Sequence, residues 1–352
     1  MKNIKRIFTL GAIAASMALT SVAANATEHY KVAWSHYTGW EPYALLESTG
    51  ILAKWEKKYD VDIDVTLIND YVESINLYTS GEFDACAMAN MDALTIPATG
   101  GVDSSAIIMG DYSNGNDGIV IKNGDSVTDL KGRNVNLVEL SVSQYLLTRA
   151  LQMNGMSERD LGSVVNTSDA DIASLFVSDP NGATVTWNPP LQTVRNDKGA
   201  KLIFDSSEIP EEIMDLLVVR TDASDNFKKA ITGAWYELMS RLNSRGKDAD
   251  ALIAEMAANA GGTEAEFRAQ LKTTFMYFDP ADAAKVFEGE KAVQTMDYIR
   301  QFSFEHGLFG MGASNADFIG IQFPGGKVLG DKNNVKLRFD PTFMQMAANN
   351  KL

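Results

Sequence analysis

Apolar and polar positions along the chain follow two periods. Between residues 62 and 68, Ile63, Val65 and Leu67 alternate with Asp62, Asp64 and Thr66, which predicts a strand with one buried face. Over 42–59, Leu45, Leu46, Ile51, Leu52 and Trp55 recur at helical spacing, broken at Gly50. A second helix is predicted over 72–80, ending at Gly81, where a residue with positive φ is easily accommodated. Residues 30–34, 83–88 and 106–109 are short apolar runs that read as strands, and 92–99 reads as a helix. The order is β-α-β-α-β-α-β, the signature of an α/β layer with a mostly parallel sheet.

At Gly110 the texture changes. The segment 110–118 is polar and rich in glycine, and reads either as a crossing into a second lobe or as a surface loop. Strands are then predicted over 119–121, 134–138, 162–166, 183–187 and 201–204, with a helix over 143–154, and the run 216–219 returns to the first lobe. Helical periodicity dominates over 226–243, 249–260, 264–273 and 289–306, and the tail 309–352 reads as loops wrapping back. The expected lobes are 27–110 plus 215–352, and 111–214, around a ligand cleft.

The first 26 residues have a different pattern. Lys2, Lys5 and Arg6 precede the uncharged apolar run 7–20, and Ala24-Asn25-Ala26 is a small-residue cleavage site. This reads as a secretory signal peptide over 1–26, too short in its apolar run to span a bilayer. Export is expected, to the periplasm if the source is a Gram-negative bacterium.

The formal net charge of −15 becomes about −18 once the three signal cations are removed. Such acidity argues against nucleic acid and anionic membranes as partners. The single cysteine, Cys86, excludes an internal disulfide framework and reads as a small buried hydrophobe. His29, His36 and His306 have no metal-ligand spacing, and no metal or cofactor is expected.

Ligands of open α/β sheets bind beyond the carboxyl ends of the strands. Those exits carry Tyr37, Thr38 and Trp40; Asn90 and Asp92; Glu139 and Ser141; and Trp187 and Asn188 before two prolines. Each also has a plainer reading: surface packing for the first loop, a helix N-cap or first-turn acid for Asp92, a cap for Ser141. These exits, with Asp205-Ser206-Ser207-Glu208 after the strand 201–204 as a fifth, offer rings, hydroxyls and carboxylates and no lysine or arginine, whereas anion sites usually carry a basic group or a bare helix N-terminus. A small planar cation suits the set, with carboxylates accepting its N–H groups and tryptophan faces stacking on it; urea would use the same groups more weakly. Serine-hydrolase, zinc-protease, phosphate-loop and dinucleotide motifs are absent from the sequence, so no enzyme activity is expected.

Tyr37-Thr38-Gly39-Trp40-Glu41-Pro42-Tyr43-Ala44, Gly50-Ile51-Leu52 and Ser80-Gly81-Glu82-Phe83-Asp84 resemble the nitrate/sulfonate/taurine-type substrate-binding proteins of ABC importers. The segments 90–97, 110–118, 136–141 and 184–189 resemble the subgroup associated with urea carboxylase genes, for which urea or guanidinium is the implied ligand. The resemblance implies a bilobed periplasmic-binding-protein-like fold of type II, cleft closure on a guanidinium- or urea-like ligand, and delivery to a membrane permease driven by a separate ATPase. A monomer is expected. Alternatives within the family are a thiamine-precursor pyrimidine, nitrate, a sulfonate or taurine.

Overall fold

The computed structural model describes residues 27–352, and the signal-peptide reading of 1–26 lies outside the described residues. Two sheets divide the chain. The larger has nine strands and contains β1 (Glu28–Trp34), β2 (Val61–Leu67), β3 (Ala85–Ala89), β4 (Ser104–Ser113), β10 (Met214–Arg220), β11 (Thr274–Met276), β12 (Gly320–Gln322), β13 (Val328–Leu329) and β14 (Val335–Phe339). The smaller has five: β5 (Asp117–Lys122), β6 (Asn134–Leu137), β7 (Ser163–Asn166), β8 (Ala183–Trp187) and β9 (Ala200–Asp205). Their orders are β13-β12-β14-β4-β10-β3-β1-β2, with β11 on β4, and β7-β6-β8-β5-β9.

The alternation over 62–68 forms β2, whose Val61 and Ile63 are buried while Asp62 and Asp64 are exposed. β3 is buried throughout, which explains its unbroken apolar run. β1 pairs in parallel with β2 and β3, and β6 with β7 and β8, as crossover connections require. The strands that carry the chain between the lobes run the other way: β10 is antiparallel to both β3 and β4, and β5 to both β8 and β9.

Two boundaries move. The apolar run 106–109 is the middle of the ten-residue strand β4, which continues through Gly110 to Ser113, so the chain changes sheets at 114–116. Gly110 lies inside that strand, where a Cβ would stand 3.4 Å from both the Asp215 carbonyl and the Trp235 indole. The tail is not all loop. β12, β13 and β14 extend the larger sheet beyond β4, with Ile321, Leu337 and Phe339 buried. Helices over Asp169–Ser178 and Pro280–Glu288 also form where no helix was expected; Ser168 and Asp279 cap them.

Candidate functional site: a buried acidic and aromatic cavity

The carboxyl end of β1 leads into a tight loop. Trp40 and Glu41 both donate their N–H groups to the Tyr37 carbonyl, at 2.8 and 3.1 Å. This turns Tyr37 and Trp40 inward, and both are buried. Gly39 is required here: a Cβ would stand 2.0 Å from Asp111 Oδ2. Tyr71 begins the helix Tyr71–Ser80 after β2, and its ring lies 5.4 Å from Trp40. Trp187, at the exit of β8, meets Tyr71 edge-on at 5.5 Å from the opposite lobe. Its indole N–H donates to the His36 carbonyl at 3.2 Å, joining the lobes. The His36 imidazole is paired in turn with the buried Glu41 carboxylate at 2.7 Å, and that bond raises its pKa.

These rings wall a tight cavity of about 10 Å³ whose lining includes Asp117 and Asp215. Four buried aspartates gather around it. Asp92, Asp111, Asp117 and Asp215 are each less than 4 % exposed. Tyr37 Oη donates to Asp111 Oδ1 at 2.9 Å, and Tyr71 Oη donates to Asp92 Oδ2 at 2.5 Å. Asp117 Oδ2 accepts from Ser113 Oγ at 2.5 Å, and Asp111 is the cross-strand partner of Asp215. No ion pair engages any of the four among the described residues. Asp92 Oδ1, Asp111 Oδ2, Asp215 Oδ2 and Trp40 Nε1 have no hydrogen-bond partner. Buried polar atoms are ordinarily satisfied, so this concentration needs an explanation.

Electrostatics follow from the burial. Desolvation pushes the Asp92, Asp111 and Asp117 carboxyls up to about 7. Asp215 is raised well above the carboxylate range by burial and then by the charges of Asp111 and Asp117. Burial also holds the Tyr37 and Tyr71 phenols far above their ordinary value, so both remain donors. The acids are not arranged as a metal cage: among the described residues no group of three or more histidine, cysteine or carboxylate side chains is placed to hold an ion.

Of the residues expected from sequence, Tyr37, Trp40 and Trp187 line the cavity, and Asp92 stands behind Tyr71. Asp92 is the first-turn acid of its helix, whose N-cap is Ala89, and its carboxylate accepts from the cavity-lining Tyr71. Thr38, Asn90, Ser141 and Asn188 are buried but engaged elsewhere. Thr38 Oγ1 donates to Gln270 Oε1 at 3.2 Å, and Asn188 Nδ2 to Asn116 Oδ1 at 2.5 Å. Asn90 pins the start of β10, accepting from Met214 N at 3.2 Å and donating to the Glu212 carbonyl at 3.1 Å. Ser141 caps the helix Val142–Met153, its hydroxyl accepting from Ser143 N at 3.2 Å. Glu139 is a correction: it is exposed and outside the cavity, because the backbone turns outward between β6 and that cap, with Leu140 at φ 65°.

Asp111, Asp117, Asp215 and Tyr71 were not expected. Asp111 and Asp117 belong to the glycine-rich crossing, and Asp215 opens an antiparallel strand whose amino end, not its carboxyl end, faces the cleft. The available signal was an isolated acid at each crossing between lobes.

No protein-family model matches the chain, and no curated protein matches it. Solved structures do. The alkanesulfonate-binding protein of Xanthomonas axonopodis pv. citri, bound to MOPS, superposes with a TM-score of 0.65 at 16 % identity, over 80 % of this chain and 94 % of that one. The zinc-bound ligand-binding component of an ABC-type import system from Staphylococcus aureus gives 0.63 at 12 % identity, over 91 % and 99 %. The periplasmic nitrate-binding protein of Synechocystis PCC 6803 gives 0.58 at 12 % identity, over 93 % and 99 %. Two sheets joined by paired crossings around one cavity, in the frame these structures share, give the chain the bilobed α/β fold of the periplasmic binding proteins.

Proposed function

We propose that this protein is the exported substrate-binding component of an ABC importer, and that it captures guanidinium between its lobes for a membrane permease. Four buried aspartates without a cationic partner, around an aromatic-walled cavity, carry the reading. A buried carboxylate is tolerated when paired, and guanidinium supplies planar N–H groups that fit carboxylates two at a time while its face stacks on indole or phenol rings. The cavity measures only about 10 Å³, far below the ~300–1,000 Å³ of drug-sized ligand sites, so a ligand enters only as the lobes part, and a few-atom ligand demands less opening than a pyrimidine. Among the described residues no lysine or arginine lines this cavity, which argues against the sulfonate and nitrate that two of the structural neighbours are named for. Binding would stabilise the closed form by bridging acids and rings of both lobes. No catalytic step is proposed.

One observation favours a second reading, urea. The Trp40 indole N–H lacks an acceptor, and with a protonated carboxyl it offers a carbonyl oxygen two donors. Calorimetric titration with guanidinium, urea, nitrate and taurine at neutral pH separates the two. Preferential binding of guanidinium is the expected result. Preference for urea keeps the transport role and transfers the ligand; binding of nitrate or taurine refutes the cavity argument.

A further inference from the structure

Resting on the cation reading, we propose that Asp111 and Asp215 share one proton, and that this proton is the site's charge selector: it is expelled when guanidinium binds and retained when a neutral amide binds. The two residues are register partners on the adjacent antiparallel strands β4 and β10, so their side chains project from the same face. Each carboxyl perturbs the protonation of the other. Each keeps one oxygen without any donor, and both residues are sealed from water. Two carboxylates in one dry site cannot both ionise without a cation between or beside them.

The surroundings supply none. Tyr37 from the first loop donates to Asp111, Tyr43 from the turn Glu41–Ala44 and Tyr277 just after β11 lie near it, and Asp117 faces it from β5. Asp215 is faced by Asp111, Asp117, Tyr37 and Tyr71. Every charged group around the pair is acidic, and every phenol is a neutral donor. The nearby His36 imidazole is bonded to Glu41 instead. The Asp111 carboxyl fills the space that a Cβ at position 39 would take, so it stands against the bare face of Gly39. The pair therefore satisfies itself as a carboxyl–carboxylate hydrogen bond, and an arriving cation replaces that proton with its own charge. No bond other than the O–H is broken, and the proton passes to bulk buffer. A neutral amide brings no charge and leaves the O–H as a donor to its carbonyl.

Infrared difference spectroscopy and calorimetry test this. In the ligand-free protein at pH 7 a protonated-carboxyl C=O stretch is expected, diminished in both Asp215→Asn and Asp111→Asn. Guanidinium titrated in buffers of different ionisation enthalpy is expected to release about one more proton from the wild type than from Asp215→Asn, and its affinity to rise by up to roughly tenfold per pH unit over the exchange window. Absence of the carboxyl band, or a band unchanged in both variants, overturns the shared proton whatever the protein binds. Guanidinium binding with a buffer-independent enthalpy overturns the exchange and leaves the cation reading standing. A protein that keeps the band but ignores guanidinium overturns the cation reading, and the exchange with it.

Discussion

Two regions of this molecule withdraw acids from solvent, one partly and one fully, and they handle the charge differently. Glu212, at the second crossing between lobes, is met by its own chain. Arg149 Nε and Nη2 fork onto its two oxygens at 2.8 and 3.0 Å, and Tyr145 Oη adds a bond at 2.6 Å. Lys122 shows the same habit, pairing with Asp197 at 2.6 Å while donating to the Phe176, Val177 and Asp179 carbonyls. The cluster of Asp92, Asp111, Asp117 and Asp215 receives hydroxyls and nothing cationic. The contrast shows that this chain can supply a guanidinium where structure demands one. Leaving four acids unmatched at a cavity between lobes is then best explained by a cation that comes from outside.

The largest effect sharpens the structural side of the contrast. Arg149→Ala strands the Glu212 carboxylate and is expected to cost about 3 kcal/mol in denaturant unfolding, the lower end of the range for breaking a buried pair because both partners keep some exposure. A change within about 0.5 kcal/mol would show that this pair is not structural. Asp117→Asn acts on the other side. It is expected to weaken guanidinium binding by ~1.5–3 kcal/mol, the charge-assisted part of a hydrogen bond, read by calorimetry, with stability unchanged or improved. Equal affinity in the variant would take Asp117 out of the site.

Stability against pH distinguishes the regions next. Asp92, Asp111 and Asp117 rise from 3.8 when unfolded to about 7 in the fold. The folded protein thus binds more protons than the unfolded chain between those values. Their contribution is full below the unfolded value and is lost as pH rises toward about 7. Thermal melts without ligand are expected to shift downward between pH 5 and 7.5, and millimolar guanidinium to flatten or reverse that slope. A slope rising with pH in the ligand-free protein would contradict the burial of unpaired acids. The smallest effect is Glu139→Gln, expected to leave affinity and stability within about 0.5 kcal/mol because the side chain is exposed; a tenfold loss of binding would return Glu139 to the site.

Much of the fold was legible in the periodicity. β2 alternates because one face meets solvent, and β3 is uniformly apolar because both faces are covered. The tail strands were not legible, since β13 has only two residues and β12 three, too short to show a period. Tyr37, Trp40 and Trp187 at the cavity wall, and Asp92 behind it, were legible because they follow strands with a parallel neighbour, where the carboxyl-end rule applies. Asp215 escaped that rule because β10 runs antiparallel and presents its amino end, whereas Asp111 obeys it but lies in the polar segment that read as a crossing rather than as the end of β4. Glu139 obeyed the rule in sequence and failed it in space, where Leu140 turns left-handed and directs the chain toward the Ser141 cap.

The central claim is that the acidic cavity holds a small planar cation, and a crystal structure grown with guanidinium at neutral pH tests it most directly. The account predicts a flat ligand between the rings of Trp40 and Trp187, with its N–H groups on carboxylate oxygens of the aspartate cluster, including the oxygens of Asp92 and Asp215 that otherwise lack a partner. Guanidinium bound elsewhere, or a cavity that takes only an anion under the same conditions, would contradict it.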